Sequence, residues 1–274
     1  MIITSRFVLI NFPKTGSTFA REVVSGLYAR RRSKRTMMEK IFGTNSRNEF
    51  VELYLPNTEY RNGKNGTPDQ HGRYEQVPKR YKNLPVLSVV RDPVVRNISL
   101  YEFGWWKQHP VAPVTDLKHR FPAWPDLDFE TFMRHQCFNT KFRNTGIELD
   151  ESIGNQTVQF IQYFFRNPLQ TFRKLSDEYI YSGAYRNDLP DLTLLRSEQL
   201  NNELYSSLKS YGFSDNELEF INRKQPVRPD RTDRLSDEQR KGYLSDDIVR
   251  MIHHRERYLY RMYADFGIQY RIDS

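Results

Sequence analysis

The sequence predicts an α/β fold with three layers, a central parallel sheet flanked by helices. Short apolar runs recur at residues 7–12, 86–90 and 192–195. They are continuous rather than alternating, which marks strands buried on both faces. A helical pattern follows each run, and strands alternating with helices build parallel sheets covered on both sides. In such sheets ligands bind beyond the carboxyl ends of the strands.

In chain order, strand 7–12 leads into a helix over 17–32, with Phe19, Val23, Val24 and Leu27 on one face. That helix runs into Arg30-Arg31-Arg32-Ser33-Lys34-Arg35, and cations suit a helix C-terminus. Residues 43–83 are polar and turn-rich (Asn62-Gly63-Lys64-Asn65-Gly66-Thr67-Pro68) and read as a surface excursion. Pro85 introduces the strand 86–90, and a helix follows Pro93 with Val94, Val95, Ile98 and Tyr101 inward. Four prolines make 107–127 a loop. Helical patterns occupy 128–137, 155–166 and 168–176. A strand at 192–195 precedes a helix over 197–211, and 223–234 is a basic loop. Ser236, with Glu238 and Gln239 nearby, opens a late helical region reaching about residue 265. There is no internal repeat. One domain over 1–274 is expected, with acceptor-side insertions around 36–82 and 104–150.

With 14% aromatic and 28% charged residues, the chain reads as globular with a wet surface. Its net charge of +8 suits an anionic ligand as well as solubility. No zinc-finger or RNA-recognition signature accompanies that charge, so nucleic acid is not the expected partner. Cys137 is the sole cysteine, which excludes a disulfide framework and a cysteine-based zinc site and favours a reducing compartment. No apolar run is long enough to span a membrane, and the one at 7–10 is too short for a signal peptide. A cytoplasmic protein is therefore expected.

Two segments carry chemistry. Pro13-Lys14-Thr15-Gly16-Ser17-Thr18 lies between the first strand and its helix. That order offers backbone N–H groups and a lysine to a phosphate-like anion. It is not a Walker A loop, whose lysine directly follows the last glycine. The second segment runs from Val90-Arg91-Asp92-Pro93 through Arg96 to Ser99 and Tyr101. An arginine fork at a strand end suits a dianionic phosphate, a serine hydroxyl adds a donor, and Arg96 offers a further cation. Arg91 pairing with Asp92 is the plainer alternative.

Together the segments resemble the sulfotransferases that use 3′-phosphoadenosine 5′-phosphosulfate (PAPS). The first resembles their 5′-phosphosulfate loop. Arg91 and Ser99, eight residues apart, resemble their 3′-phosphate site. The form Arg-Asp-Pro-x-x-Arg-x-x-Ser-x-Tyr is most similar to the carbohydrate, heparan O-sulfotransferase-like branch. The resemblance implies a P-loop-like three-layer domain and no metal. It implies that Lys14 stabilises the leaving group, and that Thr15, Gly16, Ser17 and Thr18 hold the 5′-phosphate and sulfuryl oxygens. Arg91 and Ser99 would hold the 3′-phosphate. The product is 3′-phosphoadenosine 5′-phosphate (PAP), and the partners are a nucleotide sulfate donor and a hydroxyl acceptor, a glycan or small molecule.

A base is then required. His71, in Asp69-Gln70-His71-Gly72-Arg73-Tyr74-Glu75, resembles the histidine segment that supplies it in the heparan O-sulfotransferases. An imidazole of ordinary pKa about 6.5 suits the task. Glu75 is the reserve. Leu194-Leu195-Arg196-Ser197-Glu198-Gln199-Leu200 resembles the segment beside the adenine, with Ser197 where many relatives carry tyrosine. Arg223 or Lys224 could reach the donor from a lid. Tyr101, Phe103, Trp105 and Trp106 could form a sugar platform, although core packing is the simpler reading. His253 and His254 lack a metal-spaced partner. Asp126-Leu127-Asp128 could mark a metal-dependent glycosyltransferase, but Asp128 reads as a helix N-cap. A nucleotide kinase and a non-catalytic PAP or polyanion binder stay open beside the sulfotransferase.

Overall fold

The computed structural model describes residues 1–33, 49–61, 68–150, 152–225 and 242–270. They form β1 (Ile2–Thr4), β2 (Val8–Ile10), α1 (Ser17–Ser33), β3 (Phe50–Glu52), β4 (Leu55–Pro56), β5 (Pro68–Asp69) and β6 (Val86–Val90). Next come α2 (Pro93–Phe103), α3 (Trp105–Gln108), α4 (Val114–Arg120), α5 (Phe129–Asn139), α6 (Asn155–Phe164), α7 (Pro168–Lys174) and α8 (Asp177–Tyr181). The last are β7 (Leu192–Arg196), α9 (Leu200–Ser210), α10 (Asp215–Arg223), α11 (Asp246–Arg255) and α12 (Arg257–Asp265). The turn at 62–67, the basic stretch beyond 225 and the expected helix start at Ser236 lie outside the described residues.

The chain forms two compact units. The first holds Met1–Leu55, Pro68–Arg91 and Pro190–Pro229. Its sheet has the order β3-β1-β2-β6-β7. β2, β6 and β7 are parallel, with Ile10 opposite Ser88 and Val90 opposite Arg196, so their carboxyl ends share one edge. β1 runs antiparallel to both of its neighbours, which makes the sheet mostly rather than wholly parallel. A tight turn causes the reversal: Thr4 Oγ1 donates to the Phe7 carbonyl (2.8 Å) and accepts from the Phe7 N–H (2.9 Å). A three-residue strand is too short to show a period in sequence.

Both faces of the central strands are buried, as their continuous apolar runs require. Phe7, Leu9, Leu87, Val89 and Leu195 pack with Val23, Val24 and Leu27 of α1, Leu204 and Leu208 of α9, and Leu218 and Ile221 of α10. Val8, Ile10, Val86 and Val90, on the opposite face, are also fully buried. The 43–83 excursion is less superficial than its composition implies. It supplies edge strand β3, and Arg73, Tyr74 and Val77 are buried.

The second unit holds Pro56–Thr67, Asp92–Leu189 and Asp230–Ser274, and its described residues are mainly helical. Its apolar core joins Val94 and Ile98 of α2, Phe129, Phe132 and Met133 of α5, and Ile248 and Ile252 of α11. The proline-rich stretch 107–127 is not all loop. Pro113 caps α4, whose Leu117 is fully buried in the same core. Tyr101 and Trp106 join that core, whereas Trp105 stays 56% exposed, stacked on Phe103 and His109.

Every residue of α6 is buried, including Gln156, Gln159 and Gln162. Their spacing makes a polar stripe along the helix. Gln159 Nε2 donates to Glu59 Oε2 (2.8 Å), and Gln162 Nε2 donates to the Glu59 carbonyl (2.9 Å). Glu59 also pairs with Arg143 (2.5 Å) and accepts from Tyr163 Oη (2.5 Å). Burial works to raise the Glu59 pKa, but Arg143 and these hydrogen bonds hold it below the ordinary value.

Candidate active site

The anion loop leaves the carboxyl end of β2 and enters α1. Lys14 has φ 62° and Gly16 has φ 89°. The left-handed region costs little for glycine and is unusual for lysine, so the turn holds Lys14 in a strained conformation. The segment after β7 approaches this turn: a Cβ on Gly16 would lie 3.6 Å from Leu200 Cδ2 and 3.8 Å from Ser197 Cβ.

The loop is organised by one carbonyl. Thr15 Oγ1 (2.9 Å) and Ser17 Oγ (2.8 Å) both donate to the Phe12 oxygen. A hydroxyl has a single proton, so these two side chains brace the turn. Both are buried, whereas Gly16 and Thr18 are exposed and Lys14 is half-buried. The first turn of α1 carries no acidic residue, so no carboxylate there offsets the positive end of the helix dipole. These features suit an anionic group.

Arg91 follows β6 at the same sheet edge, in the first unit and half-buried. Ser99 lies in α2 of the second unit, also half-buried. Asp92 caps α2, its Oδ1 accepting from the Val94 (2.8 Å) and Val95 (3.0 Å) N–H groups. Arg96 is fully buried, and its guanidinium donates to Gln156 (3.1 Å) and Gln159. Burial lowers its pKa to about 10, and it stays a cation of the interior. A continuous helical stripe in sequence does not distinguish such an arginine from an exposed one.

His71 stands beside the strand that launches the loop. Its Nδ1 lies 2.9 Å from the Asn11 carbonyl oxygen. A carbonyl only accepts, so Nδ1 carries the proton and Nε2 of the neutral ring keeps its lone pair. The His71 N–H donates to Asp69 Oδ1 (2.6 Å), which fixes the turn. Glu75 is exposed and its carboxylate pairs with the buried Arg73 guanidinium.

Asn11 is the residue that sequence reasoning missed. It is 1% exposed, and its Nδ2 donates to the Gln70 carbonyl (3.2 Å). The only available signal was an amide directly after an apolar strand.

The other candidates have partners of their own. Arg223 is exposed and paired with Glu219, and Lys224 Nζ pairs with Glu22 (3.0 Å). Both line a cleft of about 450 Å³ along α1 and α10. Asp128 is an N-cap, accepting from the Thr131 N–H at 2.7 Å. His253 lies in α11 and stacks on Tyr260. Among the described residues no three His, Cys, Asp or Glu side chains form a metal-holding group, and no helix is long and apolar enough to cross a membrane.

No curated protein matches the chain. The family described as the sulfotransferase domain matches residues 4–163, more than half the chain, a span that includes the anion loop, His71, Arg91 and Ser99. A strand–loop–helix order on a mostly parallel sheet agrees with that match, and the chain belongs to the sulfotransferase family.

Proposed function

We propose that this sulfotransferase moves the sulfuryl group of PAPS to a hydroxyl of a carbohydrate acceptor, with His71 as general base. The observation that carries the base assignment is the His71 Nδ1 to Asn11 carbonyl contact, which leaves Nε2 able to accept a proton. The acceptor oxygen gives its proton to Nε2 and forms the new S–O bond. The bond from sulfur to the 5′-phosphate oxygen breaks in line, and that oxygen departs with the electron pair. Lys14 offsets the charge that develops there, as electrostatic stabilisation requires. Loop N–H groups of residues 15–18 and the exposed Thr18 hydroxyl hold the 5′-phosphate and sulfuryl oxygens. Arg91 and Ser99 are assigned to the 3′-phosphate. The donor supplies the activated sulfur, and positioning and charge do the rest.

The test is transfer from radiolabelled PAPS to a panel of glycans and small alcohols, with PAP binding followed by calorimetry. The wild type should label a glycan. His71→Ala and Lys14→Ala should each lose about 10²- to 10⁴-fold in turnover. His71→Ala should still bind PAP. Arg91→Ala should weaken PAP far more than an analogue lacking the 3′-phosphate. Labelling of a small alcohol alone would reject the carbohydrate acceptor. Full turnover by His71→Ala together with its loss in Glu75→Ala would move the base to Glu75. PAP binding without any transfer would make the chain a non-catalytic binder, and neither binding nor transfer would overturn the donor.

A further inference from the structure

Three successive carbonyls at the end of β2 each hold a different part of the first unit. The Ile10 oxygen accepts from Ser88 Oγ of β6 (2.8 Å), which locks the strand end to its neighbour. The Asn11 oxygen faces His71 Nδ1, and the Phe12 oxygen accepts the Thr15 and Ser17 hydroxyls of the anion loop. Base and loop are thus hung from adjacent peptide groups.

The Asn11 side chain adds a second tie. Its Nδ2 reaches the carbonyl of Gln70, the residue just before His71. The Met1 nitrogen donates to the same carbonyl (2.7 Å). Asn11 therefore grips the 70–71 segment twice, through its backbone oxygen at the ring and its side chain at the main chain. The grip spans about 60 positions of sequence. Its Oδ1 is buried with no hydrogen-bond partner among the described residues. An amide at a fully buried strand end, with one polar atom unsatisfied, costs stability that an apolar residue would not. Clamping the 70–71 turn explains why an amide is there.

We propose that Asn11 is a positioning residue, which holds His71 in the Nδ1–H form and at a fixed distance from the anion loop. The inference rests on His71 being the base, but the ring state it concerns can be read without turnover. Removing Nδ2 frees the Gln70 carbonyl from one of its two donors. The turn then drifts, the Nδ1 contact loosens, and the second tautomer, which has its proton on Nε2 and cannot accept there, becomes populated.

The experiment uses the whole chain with Asn11→Ala and Asn11→Asp, the latter keeping the side-chain volume if alanine prevents folding. Imidazole ¹⁵N shifts of His71 should show the Nδ1–H tautomer in the wild type and a mixture in the variants. Turnover should fall about tenfold or more, the scale of a small displacement of a reacting group, while PAP affinity changes by less than about threefold. A folded Asn11 variant with wild-type turnover and an unchanged His71 tautomer would overturn the proposal. Equal losses in turnover and PAP affinity would also overturn it, because they indicate a collapsed loop. If His71→Ala retains turnover, the base reading fails on its own, and the tautomer measurement still decides what Asn11 does.

Discussion

At the residue scale, Lys14 combines the charge that the proposed function assigns to the leaving group with an unfavourable backbone. Its φ of 62° lies where a Cβ is crowded, so the lysine costs the turn stability. The two roles can be separated. Lys14→Gly and Lys14→Ala both remove the ammonium and should both lose about 10²- to 10⁴-fold in turnover. Only glycine relieves the turn, so Lys14→Gly should be more stable than Lys14→Ala by about 1 kcal/mol in urea unfolding. The reverse order would mean that the loop in solution does not hold residue 14 in the left-handed region. Sequence shows the lysine and its neighbours, but the sign of φ is a property of the folded turn. His71 shows the same limit. Its place ahead of the Arg91 strand is readable in sequence, whereas the protonated nitrogen follows from a carbonyl 60 positions away.

At the scale of elements, α1 and α10 meet through charge as well as apolar packing. Arg31 Nε donates to Glu217 Oε1 (2.5 Å), and the Ser214 hydroxyl and N–H donate to the other oxygen of Glu217. The Arg31 hydrogen bond is the main reason that the Glu217 pKa falls from 4.5 to about 2. A carboxylate whose pKa is lower folded than unfolded contributes stability above the unfolded value. That contribution is lost as pH falls from 4.5 towards 2. Glu217→Gln should therefore be less stable than wild type at pH 6, and the gap should close across that window. A constant gap in urea unfolding at each pH would refute the pairing. The capping box of α10 is readable as Ser214 with Glu217 three positions on. The partner Arg31 is not readable, because only the packing of α10 on α1 brings it there.

At the scale of the whole molecule, stability depends on charges placed where composition suggests water. Glu59 lies in a turn-rich polar stretch, yet it is buried against Arg143, Gln159 and Tyr163. A buried pair is costly to assemble and costlier to halve, since the remaining partner is left as a charge without compensation. Arg143→Met should cost about 3–5 kcal/mol in unfolding free energy, a large fraction of the 5–15 kcal/mol typical of a folded domain. Glu59→Gln combined with Arg143→Met should recover part of that loss. A double variant no better than the single would show that the pair is not coupled. The three glutamines of α6 belong to the same network, and their spacing in sequence resembles a solvated face.

The sequence by itself determined the strand–loop–helix order, the buried central strands and the membership of the sulfotransferase family. These are local: apolar continuity marks burial on both faces, and a lysine and glycine between strand and helix mark a loop that suits an anion. Tertiary structure alone decided the reversed β1, the interior place of Arg96, the burial of Glu59 and the clamp of Asn11 on the His71 turn. Each depends on a partner far along the chain, and hydrogen bonds and charge pairs of that kind leave no period in the sequence. A polar residue reads the same whether water or a distant side chain satisfies it, and only the fold determines which it is.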